Sequence, residues 1–509
     1  MSQILIVATV ILYLAGMLLI GFHFSRKDST STSDGFYIGG RKLGPLVTAM
    51  SAEASDMSSY LLMGLPGLAY FAGIAEVGWT AIGLAVGTYL NWLIVAKRLR
   101  RYSDSIGAIT IPDFFTRRYE DKKHLISLVS ALMILVFFVP YTASGFKAVG
   151  TLFNDQFGLD YHVAMIIGAL IIISYTVLGG FLAVSTTDLV QSIFMTIALI
   201  VVLVFGLKNV GGVSAVIGNA EKLPGYLNLL QGYNAADNTA MTYGFLSIVS
   251  TMAWGLGYFG MPHILLRFMA IRHEDELKTS RRIASVWVVI SMGIAVFIGL
   301  IGYSMTQNGS IAAMTTASDA ETVIIKMARF MSEHGVILAI FAGIIIAGIL
   351  AATMSTADSQ LLTAASSVSQ DIAQNFLGIR MSMKAQMIAA RGTVICIAVI
   401  AVFLAWNPES SIFRVISFAW AGFGAAFGPT MLLALFWRRS NKWGAFAGIL
   451  FGGAMVFVWK FVIAKMGGVF AIYELLPAFI IGLIVNVLVS LVTGEPSKTV
   501  TAKYDQVCR

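Results

Sequence analysis

The chain alternates between long apolar runs and short polar stretches. A membrane-spanning helix needs about 20 predominantly apolar residues, and this window predicts thirteen spans in the 509 residues. Their predicted bounds are residues 3–22, 45–74, 78–96, 124–150, 160–179, 188–207, 240–266, 283–306, 334–364, 387–406, 411–436, 443–463 and 472–493. The pattern therefore predicts an all-α polytopic membrane protein with about 13 transmembrane helices.

Composition supports this fold class and excludes several functions. The chain is 58% hydrophobic and 12% charged, whereas soluble domains are about 25% charged. Two distant cysteines and six scattered histidines favour neither a disulfide framework nor a transition-metal site. The sequence contains no Walker A motif and no convergent acid–base constellation, so we expect neither an ATP-driven pump of that type nor an enzyme. We expect no cofactor either.

The net charge of +8 is an orientation signal. Of the 34 Lys and Arg residues, 26 fall in or close to loops that the thirteen spans place on one side, which the positive-inside rule assigns to the cytoplasm. We therefore expect an extracellular N-terminus, a cytoplasmic C-terminus and no nucleic-acid partner. Arg26 and Lys27 follow the first apolar run instead of preceding it, which favours a retained span over a signal peptide.

Two spans carry concentrated helix breakers, MGLPGLAYFAG (63–73) and AWGLGYFGMPH (253–263). Irregular backbone at membrane depth is tolerated only where it is buried or lines a cavity. Paired interruptions in corresponding positions of two halves indicate a transporter's binding site.

Each interrupted span opens a group of five, and an odd number of helices inverts the second group relative to the first. The chain is predicted to comprise five segments: 1–44, first span and cytoplasmic loop; 45–207, first inverted repeat (spans 2–6); 208–239, extracellular loop; 240–436, second inverted repeat (spans 7–11); 437–509, spans 12–13 and cytoplasmic tail.

Polar residues inside the spans are candidates for the site. A carboxylate at the bilayer centre costs about 2.5–3.5 kcal/mol on insertion scales, so Asp56 is a functional candidate. Glu53 lies nearer the cytoplasmic end, where we expect water to reach it. Asp188 starts the sixth span, and it is either a carboxylate favoured by the helix dipole or part of an ion exit path.

The ninth span places a row of small polar residues on one helix face. Ala352, Ser355, Thr356 and Ser359 recur at helical spacing. Adjacent hydroxyls and free carbonyls suit a small, hard cation. Membrane Ser and Thr also commonly bond the carbonyl of their own preceding turn, and the spacing alone leaves both interpretations open.

Five segments resemble the sodium/solute symporter family, most closely its proline-transporting members. They are SAEASDMSSYLLMGLPG (51–67), GGFLAVSTTDLVQ (179–191), WGLGYFGMPHILLRFMA (254–270), LAATMST (350–356) and SFAWAGFGAAFGP (417–429). The resemblance runs in register from about residue 35 to 490. It implies a leucine-transporter-type 5+5 inverted repeat, alternating access, a prokaryotic plasma membrane and uptake of L-proline coupled to Na⁺.

The resemblance also implies a set of site residues. Those for Na⁺ are the carbonyls of Ala54, Met57 and Ala352, the hydroxyls of Ser355 and Thr356, and the carboxylate of Asp56. Those for proline are Ser58, Tyr141, Trp254, Tyr258 and Pro262, with Ser59 close to the substrate.

Three positions depart from the pattern of proline transporters. Glu53 and Ser59 stand where we expect glycine, and Tyr60 stands where we expect tryptophan. The alternatives are a sodium symporter for another small solute, such as pantothenate, a sugar or a carboxylate, and a channel.

Overall fold

The computed structural model describes residues 2–25, 33–177, 180–408 and 410–508, and it is almost entirely helical there. The helices are α1 Ser2–Ser25, α2 Ser33–Ile38, α3 Pro45–Ser59, α4 Leu65–Ala72, α5 Ile74–Leu90, α6 Ala96–Ser105, α7 Ile111–Arg118, α8 Leu125–Phe157, α9 Tyr161–Thr176, α10 Phe181–Val210, α11 Val213–Ala220, α12 Phe245–Met252, α13 Pro262–Ala270, α14 Leu277–Gln307, α15 Ala317–Ala320, α16 Val323–Ser332, α17 Val336–Ser366, α18 Met383–Leu404, α19 Ile412–Phe436, α20 Lys442–Val458, α21 Leu475–Val492 and α22 Lys498–Cys508.

Within the described ranges, ten helical stretches are long and apolar enough to cross a membrane. The other three predicted spans correspond to the shorter α9 and to two interrupted pairs, α3 with α4 and α12 with α13. A length criterion misses these pairs because each is broken within the span. The count of thirteen therefore stays a prediction.

The first interruption lies earlier than the sequence predicted. The non-helical residue is Ser58, with φ 48° and ψ −166°. A π-helical turn, Tyr60–Gly64, follows, and α4 then begins with Pro66 in its first turn. The segment 63–73 is thus mostly helical. Proline is tolerated in a first turn, where its missing N–H is not needed.

The second interruption lies where the sequence placed it. A 3₁₀ segment, Ala253–Phe259, follows α12, and Met261 is extended before Pro262 opens α13. Glycines allow close packing here. A Cβ on Gly87 would collide with the backbone of Gly255, and one on Gly83 would collide with Met252.

The centre of the fold is α17. It packs against α1, α3, α8, α10 and α16, and every residue from Ile345 to Ser366 is buried. The outer helices present large apolar side chains on their free faces, for example Val204 and Ile290. An apolar perimeter around a buried core is typical of a protein surrounded by lipid.

The connecting segments contain structure that the span window did not predict. Within 208–239 and just after it lie α11 and an antiparallel hairpin, β1 Gln231–Asn234 and β2 Thr239–Thr242. Two short helices, α15 and α16, precede α17. The predicted loop 267–282 begins too early, because Arg267 lies inside α13 and is buried.

Candidate functional site

The two interrupted helices meet at Asp56. The Tyr258 hydroxyl donates a hydrogen bond to Asp56 Oδ2 at 2.5 Å, and the Tyr141 hydroxyl donates to the Asp56 carbonyl at 3.3 Å. Asp56 is 5% exposed. In the part of the chain that the structure describes, no basic side chain forms an ion pair with it. The carboxylate therefore accepts the Tyr258 hydroxyl and has no cationic partner there.

Four of the candidate ion ligands are in direct contact. The Ser355 hydroxyl lies 2.7 Å from the Ala54 carbonyl on α3 and 3.2 Å from the Ala352 carbonyl on its own helix. The Thr356 hydroxyl lies 3.2 Å from the same Ala352 carbonyl. These hydroxyls thus bond within α17, and Ser355 also bridges to α3. All the contacting atoms are oxygens, the ligand type that hard cations prefer.

Met57 and Ser58 lie at the break near the end of α3. Their carbonyls both accept the backbone N–H of Tyr60, which also donates to the Ser58 hydroxyl at 3.1 Å. At the break these carbonyls thus accept an N–H only two or three residues ahead. Unwound helices of this kind can present carbonyl oxygens to ions.

Aromatic side chains enclose a small cavity beside Asp56. Its volume is about 10 Å³, about the least that can hold one water molecule. The lining residues are Asp56, Met57, Tyr60, Leu84, Tyr141, Trp254, Ile416 and Trp420. Trp254 is stacked between Tyr60, at 5.7 Å, and Tyr473, at 5.2 Å. A ligand would have to separate these rings.

The other candidates for substrate binding are buried but do not line this cavity: Ser58, Ser59, Tyr258 and Pro262. Ser59 is buried, and its hydroxyl has no hydrogen-bond partner among the described residues. Pro262 is buried at the start of α13, one turn beyond Tyr258, and does not line the cavity.

Glu53 is not where the sequence predicted. It is 1% exposed and does not reach water. Thr88 and Trp92, on the neighbouring α5 and the turn after it, donate to its Oε1 at 3.2 Å and 3.1 Å. Because Thr88 and Trp92 contact the carboxylate, its position near the helix end does not give solvent access.

Asp188 belongs to a second buried polar cluster. Arg267 Nη2 lies 3.1 Å from Asp188 Oδ2, and the Ser51 hydroxyl donates to the same oxygen at 2.6 Å. Arg267 also donates to Ser359 at 2.5 Å. This cluster joins α3, α10, α13 and α17. The sequence pattern placed Arg267 in a loop and so did not predict its role in this cluster. The preceding apolar residues ILL (264–266) are a signal that the helix continues through it.

On the opposite side of the cavity, Glu321 fixes the start of α19. Its carboxylate accepts the Ser411 hydroxyl and the backbone N–H groups of Ile412 and Phe413. The Phe413 ring lies 5.4 Å from Trp254. Burial raises the pKa of Glu321, and the hydrogen bonds from Phe413 and Ile412 oppose the shift. A larger cavity of about 630 Å³ opens beside this contact, lined in part by Lys147, Arg414 and Lys460.

Broken helices around a buried carboxylate, in a helical bundle with an apolar perimeter, define a membrane transporter. The family model described as sodium:solute symporter family matches residues 36–452. The chain belongs to this family. It is thus a multi-pass plasma-membrane transporter and not an enzyme, and Na⁺ is its coupling ion.

Curated relatives match over almost the full chain. The osmoregulated proline transporter of Bacillus subtilis is 41% identical over 490 residues, 96% of this chain and 94% of that protein. The sodium/proline symporter of Escherichia coli K12 is 41% identical over 498 residues, 97% of this chain and 95% of that protein.

A solved structure supports the fold. A Na⁺-coupled sialic acid symporter in a substrate-bound outward-open state superposes with a TM-score of 0.77, 19% identity and coverage of 97% of this chain and 99% of that chain. At this identity the likeness shows the fold alone, and it confirms the leucine-transporter-type helical architecture that was expected.

Proposed function

We propose that the protein takes up L-proline with Na⁺ by alternating access. The observation that carries this is a buried, unpaired carboxylate, Asp56, between two interrupted helices, in a chain 41% identical to proteins named as proline transporters. The membrane potential contributes about 2.3 kcal/mol for each charge crossing 100 mV. One Na⁺ per proline then gives about fifty-fold accumulation before any Na⁺ gradient is counted.

The ion would bind between α3 and α17. The proposed ligands are the carbonyls of Ala54, Met57 and Ala352 and the hydroxyls of Ser355 and Thr356, with Asp56 supplying negative charge nearby. In support, Ser355 already joins Ala54 to Ala352. A cation bound there would be coordinated by the same oxygens that the Ser355 hydroxyl now links by hydrogen bonds.

Proline would occupy the cavity next to this ion, with its ring against Tyr141, Trp254 and Tyr258. Ser58, Ser59 and the unwound backbone would receive the zwitterionic head. Pro262, which fixes the start of α13, would act on the shape of the pocket. Phe413 and Tyr473 pack against Trp254, so opening the pocket would require these rings to move.

The basic loops support an orientation with an extracellular N-terminus and a cytoplasmic C-terminus. In this orientation the Asp188–Arg267 pair lies on the cytoplasmic side of Asp56. Asp188 remains a candidate for the ion exit path. Its pairing with a buried arginine favours a structural role.

The test is uptake of radiolabelled proline into proteoliposomes, with and without an inward Na⁺ gradient. We expect accumulation only with the gradient, and a raised Na⁺ requirement in Ser355→Ala and Thr356→Ala. Thr363→Ala is the matched control, because the Thr363 hydroxyl donates to the Ser359 carbonyl on the same helix and contacts none of the proposed ligands.

Three results would redirect the proposal. Accumulation of another solute in a competition panel, with none of proline, would assign a different substrate. Proline flux without Na⁺-driven accumulation would indicate a channel. Normal Na⁺ dependence in both hydroxyl variants would overturn the ion site while leaving the function intact.

A further inference from the structure

Glu53 is a buried carboxylate that the proposed mechanism does not use. It lies one helical turn before Asp56, and its Oε2 has no hydrogen-bond partner among the described residues. Both donors that hold it, Thr88 and Trp92, act on Oε1. A buried charge without a partner is strongly unfavourable, so an unpartnered oxygen in this position requires an explanation.

Among the described residues, no basic side chain forms an ion pair with Glu53. On its own helix the next ionisable group is Asp56. The second interruption contributes the ionisable Tyr258. The ionisable residues of α13 are His263, which is buried, and Arg267, which is paired with Asp188. On α5 and the turn that follows, the groups that touch Glu53 are uncharged. One Na⁺ at Asp56 would leave the second carboxylate of this pair without a counter-charge.

Asn91 offers a second unpartnered oxygen on the same side. It is fully buried, and its Nδ2 donates to the Tyr258 carbonyl at 3.0 Å. Its Oδ1 has no partner among the described residues. Thr88, which donates to Glu53, and Asn91 are three residues apart and so lie on the same helix face. A π-helical turn, Asn91–Val95, begins here, and such turns occur frequently at functional sites.

We propose that Glu53, Thr88 and Asn91 bind a second Na⁺ that is transported with proline. A carboxylate, a hydroxyl and an amide oxygen are the ligands that a hard monovalent cation prefers. The site would raise the stoichiometry to two Na⁺ per proline. This inference rests on the proposed function, and it concerns a position where the resemblance leads us to expect glycine.

The first measurement is the ratio of radiolabelled Na⁺ to radiolabelled proline entering proteoliposomes. We expect two for the wild type and one for Glu53→Gln, which keeps the shape of the side chain. Each transported charge multiplies accumulation about fifty-fold at 100 mV, so the variant should lose about that factor in its limiting proline gradient. Glu76→Gln, the same change in the first turn of α5, should keep the wild-type ratio.

The second measurement is Na⁺ binding to the purified full-length protein without transport, by radiolabelled Na⁺ in equilibrium dialysis. The wild type should bind two ions, and Glu53→Gln and Asn91→Ala one each. Retention of one ion also shows that these variants are folded.

The outcomes separate the two proposals. Absence of Na⁺-driven proline uptake in the wild type would overturn the proposed function. Uptake with a wild-type ratio of one, or equal ratios in wild type and Glu53→Gln, would overturn the second site alone. A ratio of one accompanied by acidification of the lumen would identify a proton as the second charge and would also overturn it.

Discussion

Two buried aspartates differ in what balances their charge. Asp188 is paired with Arg267 at 3.1 Å and accepts the Ser51 hydroxyl. Asp56 accepts the Tyr258 hydroxyl and has no basic partner in the described ranges. Asp188 thus has a counter-charge within the protein, whereas Asp56 has none among the described residues, as the proposed Na⁺ site requires. Burial alone therefore does not distinguish a structural ion pair from the proposed ion site, and the counter-charge is what separates the two aspartates.

The largest expected effect comes from breaking the Asp188–Arg267 pair. Asp188→Asn removes the carboxylate that is hydrogen-bonded to the buried Arg267, and we expect the free energy of unfolding to fall by about 3–5 kcal/mol. Thermal unfolding in detergent measures it. The double variant Asp188→Asn/Arg267→Met should recover most of the loss. An unchanged midpoint in the single variant would show that the pair is not a structural element.

Asp56→Asn should have the opposite profile. Because Asp56 has no ion-pair partner to strand, we expect a small change in thermal stability. We expect a roughly 100-fold higher Na⁺ requirement for proline uptake, which corresponds to about 2.7 kcal/mol, within the range for removing one partner of a buried charge contact. A loss of stability as large as that of Asp188→Asn would contradict the distinction between the two sites.

The two aspartates also differ in the backbone around them. The helix α10 is regular at Asp188, whereas Ser58, two residues after Asp56, has a positive φ. Glycine adopts this conformation without the steric cost to a side chain. We expect Ser58→Gly to be more stable to thermal unfolding than Ser58→Ala by about 1 kcal/mol. Both variants lose the same hydroxyl, so their difference isolates the backbone. Equal thermal stabilities of the two variants would show that the backbone at Ser58 is not strained.

The smallest effect belongs to an exposed ion pair. Arg101 donates to Glu274 and lowers the pKa of that carboxyl from its usual value of 4.5. The contribution to stability is present above about pH 4.5 and is lost as the pH falls through the lowered pKa. Because solvent screens the pair, it amounts to a few tenths of a kcal/mol. Comparing the pH dependence of unfolding in wild type and Glu274→Gln measures it, and a larger difference would mean that exposure is a poor guide to these energies.

Much of the fold was predictable from apolar periodicity, and much less of the site was. Helix length and breakers located the spans and the second interruption, because Gly and Pro act locally. The first interruption lies at Ser58, before the Gly/Pro run, because the following π-helical turn accommodates Pro66. No local pattern in serine signals such a conformation.

Tertiary partners were also hidden in the sequence. The pairing of Arg267 with Asp188 joins residues 79 positions apart, and the burial of Glu53 depends on α5 covering it. Spacing placed Ser355 and Thr356 on one face, but it could not show that Ser355 reaches the Ala54 carbonyl.

The glycine contact between α5 and the second interruption has a mechanical consequence. Gly83 and Gly87 lie against the backbone of Met252 and Gly255 with no side chain between them. Close-packed interfaces normally resist displacement because interlocked side chains must change rotamers together. Two backbones in direct contact have no side chains to interlock, so we expect the broken helix to shift past α5 in small steps. A single methyl group added at Gly87 would collide with the Gly255 backbone and force the two segments apart.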